Sequence, residues 1–546
     1  MGRRAGSGGW RPCRADGSRW WDTPGVGGDE RGRPGLFSAA ALLAASAVLS
    51  RVLGYGREAV MSRLLGVSAE VDAYRAAFFL PDMLFYFLAG GAIGIAFIPL
   101  YTRTRRDGGD AAAHGLLAVV LGTTVALARA VTLALWLAAD VLIPRIYSDF
   151  TPAIQDLTVR LTRIVMPAQL CFIAGGVVRG ALMANGRFAS QALAPLLYNA
   201  GIIAGGLALG SRLGAEGFAW GALAGAIAGP LLASLVEAAR APEVRLGFRV
   251  APVDPGFRRY LLLALPIMLG LSLLTVDEWY DRYFGQFAGE GAMAALGYAR
   301  LLLQLPVGIV GQALATAALP FLARLYSEGR HADLDRTLAN TLRAGLSLGL
   351  LATAAYLALA QPIVALLYQG GRFSAADTQA VAGLLWIFAW AVPAWVVQQI
   401  AVRGFYARED MWAPMLLGTG IALAAAGLYV VLGERHGAPG LAAAGAIGMS
   451  VNALATLWLL RVRHGGPPLW PLLDSAWRGV LAGGVAALAA VAVPSLGVPG
   501  FAGHVVDLLV PGAVFGGAAL AAALVVGDPP LRAALARLLR LRRGAG

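Results

Sequence analysis

An all-α, polytopic membrane protein of about fourteen transmembrane helices, arranged as two six-helix lobes around a central cavity plus two C-terminal helices, is the fold class this sequence predicts. Three observations predict it. Hydrophobic residues make up 58% of the 546 residues and charged residues only 14%, far from the averages of soluble domains. The charges gather in short patches between continuously apolar stretches of roughly 18 residues or more, enough helix to cross a hydrocarbon core of about 30 Å. Those stretches are rich in Ala, Leu and Gly and lack the alternating segments of about ten residues that a membrane barrel needs, whereas helix satisfies its own backbone in lipid.

Taken in order, residues 1–35 are rich in Gly, Arg, Pro and Trp and contain no apolar run. They fit neither a cleaved signal peptide nor a folded domain and are expected to form a disordered cytoplasmic tail. Six apolar stretches follow near 36–66, 73–102, 112–138, 157–184, 190–211 and 216–239, an N-terminal lobe over 36–239. A basic cytoplasmic linker, 240–259, precedes six more near 260–284, 292–323, 338–360, 378–406, 412–432 and 440–460, a C-terminal lobe over 260–463. A last pair, near 476–495 and 506–527, occupies 464–528, and 529–546 is a basic cytoplasmic tail. Two sets of six spans suggest a two-lobed transporter.

Every one of the 44 basic residues is Arg, and positive residues near span ends stay cytoplasmic. Arg103, Arg105 and Arg106 follow the second stretch; Arg240, Arg245, Arg249, Arg258 and Arg259 the sixth; Arg324, Arg330 and Arg336 the eighth; Arg461 and Arg463 the twelfth. The tail adds Arg532, Arg537, Arg540, Arg542 and Arg543, while loops of the other parity hold few, namely Arg145, Arg212, Arg372 and Arg435. Both termini are therefore expected in the cytoplasm. The net charge of +13 belongs to this topology and not to nucleic acid, because no groove-reading element accompanies it. Cys13 and Cys171 cannot build a disulfide framework. The sequence has no P-loop, no paired Cys ligands and no Gly-x-Ser-x-Gly elbow with partners, and its five His are scattered; neither an enzyme nor a metal or cofactor is expected.

An ionised side chain near mid-bilayer costs roughly 2.5–3.5 kcal/mol on insertion scales, so charge inside a span marks a functional candidate. The first stretch carries Arg51, Arg57 and Glu58. At about 100° per residue Arg51 and Glu58 share one stripe. Arg57 points elsewhere unless Gly54 and Gly56 break the helix, which would aim both arginines inward. Two guanidinium forks suit a diphosphate; the competing readings are an ion pair of Arg57 with Glu58 or Asp72, or snorkelling to the interface. The second stretch holds Asp72, near a span end and suited to capping or pairing, and Pro81, which is expected to kink it. Gly90 and Gly94 there would permit close helix approach. The seventh stretch carries Asp277, Glu278, Asp281 and Arg282; the clustered carboxylates are candidates to couple Na+ or H+, although an interfacial helix end is the favoured reading. In the eighth, Arg300 and Gln304 stand four apart on one face; Arg300 is the third substrate-contact candidate, against a buried structural hydrogen bond.

Short phrases recur in a telling order: Ser50-Arg-Val-Leu-Gly54 with Arg57, Asp72-Ala73 leading to Leu80-Pro81, Phe97-Ile-Pro99, Asn185-Gly-Arg-Phe188, Ala194-Pro195 with Asn199, Tyr298-Ala299 with Leu305-Pro306, Leu367-Tyr-Gln-Gly370 with Arg372-Phe373, and Phe405-Tyr-Ala407 with Asp410. From residue 36 onward the chain resembles the MurJ (MviN) family, lipid II flippases of the multidrug/oligosaccharidyl-lipid/polysaccharide (MOP) exporter superfamily. The resemblance implies a multi-pass protein of the bacterial inner membrane that carries undecaprenyl-diphosphate-linked peptidoglycan precursor, lipid II, from the cytoplasmic to the outer leaflet by alternating access. It also implies a cationic cavity for the headgroup, with the last two spans cradling the polyprenyl tail. No cofactor is implied; coupling to Na+, H+ or membrane potential is, and cell-wall synthesis proteins are candidate partners. Arg51, Arg57 and Asp72 fall on positions important in the family, and Glu58 replaces its usual Asp. The chain departs from the pattern at Phe85 and Tyr86, where an arginine pair is expected, and around Arg300, which is shifted by one position with Gln304 in place of Glu. The rival readings are a flippase for another lipid-linked oligosaccharide and a non-transporting membrane scaffold of the same fold. A cation-coupled drug exporter fits less well, since drug cations would avoid an arginine-lined cavity.

Overall fold

The computed structural model of the protein describes residues 36–88, 93–274, 276–468, 470–494, 498, 500–529 and 532. The expected tail 1–35, Gly90, Gly91 and the arginines from 537 onward lie outside the described residues, within which the only strand-like feature is an isolated bridge between Gly370 and Phe373.

Each apolar stretch is helical. The first is α1 (Leu36–Leu65), and the second is divided into α2 (Ala69–Ala77), α3 (Phe79–Leu88), a π-helical turn at Ile93–Phe97 and the start of α4 (Ile98–Ile146). The rest of the N-terminal half comprises α5 (Pro152–Val165), α6 (Ala168–Ala184), α7 (Ala189–Leu213), α8 (Ala215–Ala226), a π turn at Ile227–Ala233 and α9 (Ser234–Ala239). The C-terminal half has α10 (Pro255–Leu274), α11 (Val276–Phe284), α12 (Ala292–Pro306), a π turn at Val307–Gly311, α13 (Gln312–Ser327), α14 (His331–Tyr368), α15 (Ala375–Ala389), α16 (Val392–Tyr406) and α17 (Trp412–His464). The last two are α18 (Trp470–Val491) and α19 (Gly500–Val525). Among the described residues nine helical segments are long and apolar enough to cross a membrane alone, ten if α15 and α16, bent by 45°, form one span. The fourteen-stretch reading is finer because α17 joins two of its spans across a glycine. It also counts three spans that carry internal charge or breaks: α1, α2–α3 with the start of α4, and α10–α11.

Those glycines are required by backbone geometry. Gly109 (φ 74°) in α4 and Gly437 (φ 59°) in α17 lie in the left-handed region, where an L side chain is strained. Proline explains other irregularities: Pro230 sits in one π turn and Pro306 immediately precedes another, and a residue without an N–H unseats the regular ladder. By contrast, Gly54 and Gly56 do not break α1, which runs unbroken from Leu36 to Leu65. The helix tolerates them because neighbours on both sides support it: α1 packs on α7 and on α14.

Close approach occurs at glycines other than those expected. A Cβ at Gly94 would meet nothing within 4 Å, so that position faces open space, while a Cβ at Gly201 would lie 2.5 Å from the Cα of Gly225 and one at Gly205 2.5 Å from that of Gly221. Helices α7 and α8 therefore touch backbone to backbone, the small-residue packing that lipid-embedded helices favour. The basic linker is a strap and not a free loop: residues 240–254 carry no helix, and the Arg249 and Ala251 amides donate to Ala118 O and Thr123 Oγ1 of α4, both at 3.0 Å. Helix α10 then lies on α3 and α4, joining the halves. Large apolar side chains cover the outside, Leu454 (68% exposed), Trp458 (60%) and Leu488 (74%) among them, as lipid contact requires. The final pair docks on α14, where Arg343 donates to Asp528 Oδ1 at 2.5 Å and Ser475 Oγ at 3.0 Å.

Candidate substrate cavity

The charged residues of α1, α2, α3, α11 and α12 converge between the two halves. Two adjoining cavities, of about 610 and 620 Å³, share Arg57, Glu58, Arg75 and Arg282 on their walls. Asp281, Glu278 and Arg300 line the first and Asp82 the second. Four arginines thus face four carboxylates. Glu58, only 5% exposed, bridges two of them: Arg57 Nη2 donates to Oε1 and Arg75 Nη2 to Oε2, both at 2.8 Å. Arg57 also donates to Asn199 Oδ1 of α7 at 3.2 Å. Across the cavity Arg282 donates to Asp82 at 2.6 Å, and Arg300 donates to Asp281 at 2.5 Å and to Asp277 at 3.1 Å while lying over the ring of Phe388. Charges taken out of water must be paired in this way.

Most of the residues expected at the site gather here. Arg57, Glu58, Glu278, Asp281, Arg300 and Gln304 all line the first cavity. Arg57 reaches it from an unbroken helix, because the long side chain swings to Glu58 and needs no glycine break. One expectation is corrected, and two of the candidate residues stand outside the ionic cavity. Asp277, Glu278 and Asp281 do not cap an interfacial helix end; they turn inward, Asp281 being 7% exposed, because Arg300 and Gln304 of α12 supply their partners. Asp72 lies outside the cavity: it accepts from the Gly291 and Ala294 amides at 2.6 and 2.7 Å, satisfying orphan N–H groups at the start of α12. Arg51 stands apart from the other arginines, exposed, with one hydrogen bond among the described residues, to Gln312 at 3.3 Å.

The cavity is closed at the end where α1 finishes and α2, α12 and α15 begin. Besides Asp72, Tyr298 Oη donates to Gly66 O at 3.3 Å, the Arg372 amide to Arg63 O at 2.8 Å, and Gln286 Nε2 to Ile146 O at 2.9 Å. Each of these bonds joins the N-terminal half to the C-terminal half. Toward the opposite end Arg51 and Gln312 are exposed.

A sequence model described as lipid II flippase MurJ matches residues 61–511. The chain belongs to that family. A protein of Rhizobium meliloti (strain 1021) named "Probable lipid II flippase MurJ" is 32% identical over 463 residues, 82% of this chain and 85% of that one. The "Lipid II flippase MurJ" of Burkholderia cenocepacia is 27% identical, over 78% of this chain and 84% of its own length. Among solved structures, a "Lipid II flippase MurJ, inward closed conformation" superposes with a TM-score of 0.74 at 20% identity, covering 88% of this chain and 99% of its own. An inward-facing multidrug resistance MATE transporter of the MOP superfamily gives 0.64 at 16%, covering 78% and 98%. These likenesses fix the fold as that of a polytopic, all-helical membrane protein.

Against the MurJ pattern, Phe85 and Tyr86 are packing residues, edge-on to Phe172 at 6.0 Å and to Trp279 at 6.0 Å. Two arginines make up the charge: Arg75 beside Glu58, which the sequence reading did not single out, and Arg282 beside Asp82, which it noted without a partner. The signal for Arg75 was its position three residues after Asp72 in a stretch otherwise apolar. A Cβ at Gly297 would sit 2.3 Å from its guanidinium, so the missing side chain there is what admits it.

Proposed function

We propose that this chain is a transporter, not an enzyme, and that it moves lipid II from the cytoplasmic to the outer leaflet of the bacterial inner membrane by alternating access, with both termini cytoplasmic. The observation that carries the reading is the ionic cavity between the halves, closed at one end, in a chain of the MurJ family. A diphosphate entering it exchanges for carboxylates on guanidinium groups that are already oriented, so neither the empty nor the loaded state strands an arginine in low dielectric. With four arginines and four carboxylates on its walls, the loaded cavity carries excess negative charge, and uptake of H+ or Na+, or the membrane potential, supplies the balance. The closed end faces outward by the arginine distribution, which makes this the cytoplasm-accessible state of the cycle. The N-terminal lobe, linker, C-terminal lobe and final helix pair keep the limits 36–239, 240–259, 260–463 and 464–528, with the lobes rocking about the cavity. Arg57→Ala is expected to abolish growth rescue of a flippase-depleted strain while the protein still inserts into the membrane; full rescue overturns the assignment.

A further inference from the structure

One cavity is not explained by the ionic site. It is lined by Arg51, Tyr55, Gln304, Gln312, Trp395 and Gln399 with small and apolar neighbours. None of its lining residues is a carboxylate. Its polar groups come from three elements held in register. Trp395 and Gln399 are one turn apart on α16, and Gln304, Gly308 and Gln312 follow one another at intervals of four through α12, the π turn and α13. Gly308 is what admits the arginine: a Cβ there would lie 2.7 Å from Arg51 Nη1. Leu301 and Gln304 line this cavity and the ionic one alike, so the two adjoin.

We infer that this carboxylate-free cavity is a saccharide subsite, in which Gln304, Gln312 and Gln399 read the hydroxyl and acetamido groups of a lipid-linked sugar, Trp395 offers its ring as a platform, and Arg51, beside Gln312, holds a phosphate oxygen. Primary amides both donate and accept, as sugar hydroxyls do, and an indole face takes the apolar face of a pyranose with its polar edge left wet. Arg51 suits an anion because no carboxylate among the described residues pairs with it, whereas Arg57, Arg75, Arg282 and Arg300 each hold one. The division rests on the flippase reading above and adds to it: the ionic cavity takes charge, and the amide cavity takes the neutral sugar.

The test is binding of lipid II and of sugar-free undecaprenyl diphosphate to the purified full chain. The wild type is expected to prefer lipid II by tenfold or more. Trp395→Ala and Gln399→Leu are each expected to weaken lipid II binding by about five- to thirtyfold, the range of one or two lost polar or stacking contacts, with undecaprenyl diphosphate unchanged within about twofold. Arg51→Ala weakens both ligands. Trp395 packs against the core; if its alanine variant fails to fold, Gln312→Leu at an exposed position carries the same expectation. Retention of lipid II affinity within twofold in these variants, or equal loss of both ligands, overturns the subsite while leaving the flippase reading intact. A wild-type chain that binds neither ligand removes the flippase reading and the subsite with it.

Discussion

Asp72→Ala cuts the tightest polar contact that closes one end of the molecule. The carboxylate accepts from the Gly291 and Ala294 amides at 2.6 and 2.7 Å, and it belongs to α2 while the amides begin α12. Hydrogen bonds to a charged group contribute about 1.5–3 kcal/mol each. Opening lets water take over part of that work, so the net loss of closed-state stability is about 2–4 kcal/mol. At about 1.4 kcal/mol per factor of ten, the ratio of open to closed forms rises by roughly 30- to 1,000-fold. The remaining bonds, Tyr298 to Gly66 and Arg372 to Arg63, keep the closed form from vanishing. The assay places a single thiol at Leu301→Cys, on the wall between the two cavities, in a chain whose Cys13 and Cys171 are replaced by serine. A membrane-impermeant maleimide is then added from outside the cell. Labelling should accelerate at least tenfold in the Asp72→Ala background. An unchanged rate would refute the reasoning that this carboxylate holds the outward end shut.

Two further outcomes follow from buried pairs. Asp281→Ala leaves Arg300 with only its longer contact to Asp277, and should lower unfolding stability by about 1.5–3 kcal/mol, read as a drop in the thermal midpoint in detergent; Asp281→Leu combined with Arg300→Met should restore most of that stability but not growth. Asp528→Ala strands Arg343, whose shortest contact it provides at 2.5 Å, and should loosen α18 and α19 from α14, seen as faster protease cleavage in the 465–499 region with helices α1 to α17 unaffected.

The fold was legible because lipid imposes a simple rule: length and apolarity decide a span, and arginine decides its direction. That rule located the apolar stretches and separated the helices joined in α4 and α17, where Arg103 to Arg106 and Arg435 stand just before the kink glycines. Arg57, Glu58 and Arg300 were legible for the same reason, being costly in lipid without partners. Partnership was harder to read. The pairing of Glu58 with Arg75, and of Arg282 with Asp82 200 residues away, depends on which helices meet, and periodicity within one helix carries no such information. Asp277 and Asp281 looked like an interfacial end because sequence shows charge but not the direction α11 takes after Leu274. Of the amide cavity only Arg51 and Gln304 stood out in the sequence; Gln312, Gln399 and Trp395 inside apolar helices do not, until Gly308 and Arg51 are seen together.

The most direct measurement is lipid II movement across liposomes containing the purified chain, followed by outer-leaflet capture of a labelled headgroup. Wild type should transfer lipid II far above the protein-free rate, and Arg57→Ala should fall to that background. Transfer by the Arg57→Ala protein at the wild-type rate, or none by the wild type in vesicles of intact, correctly oriented protein, would contradict a guanidinium-lined pathway for the headgroup.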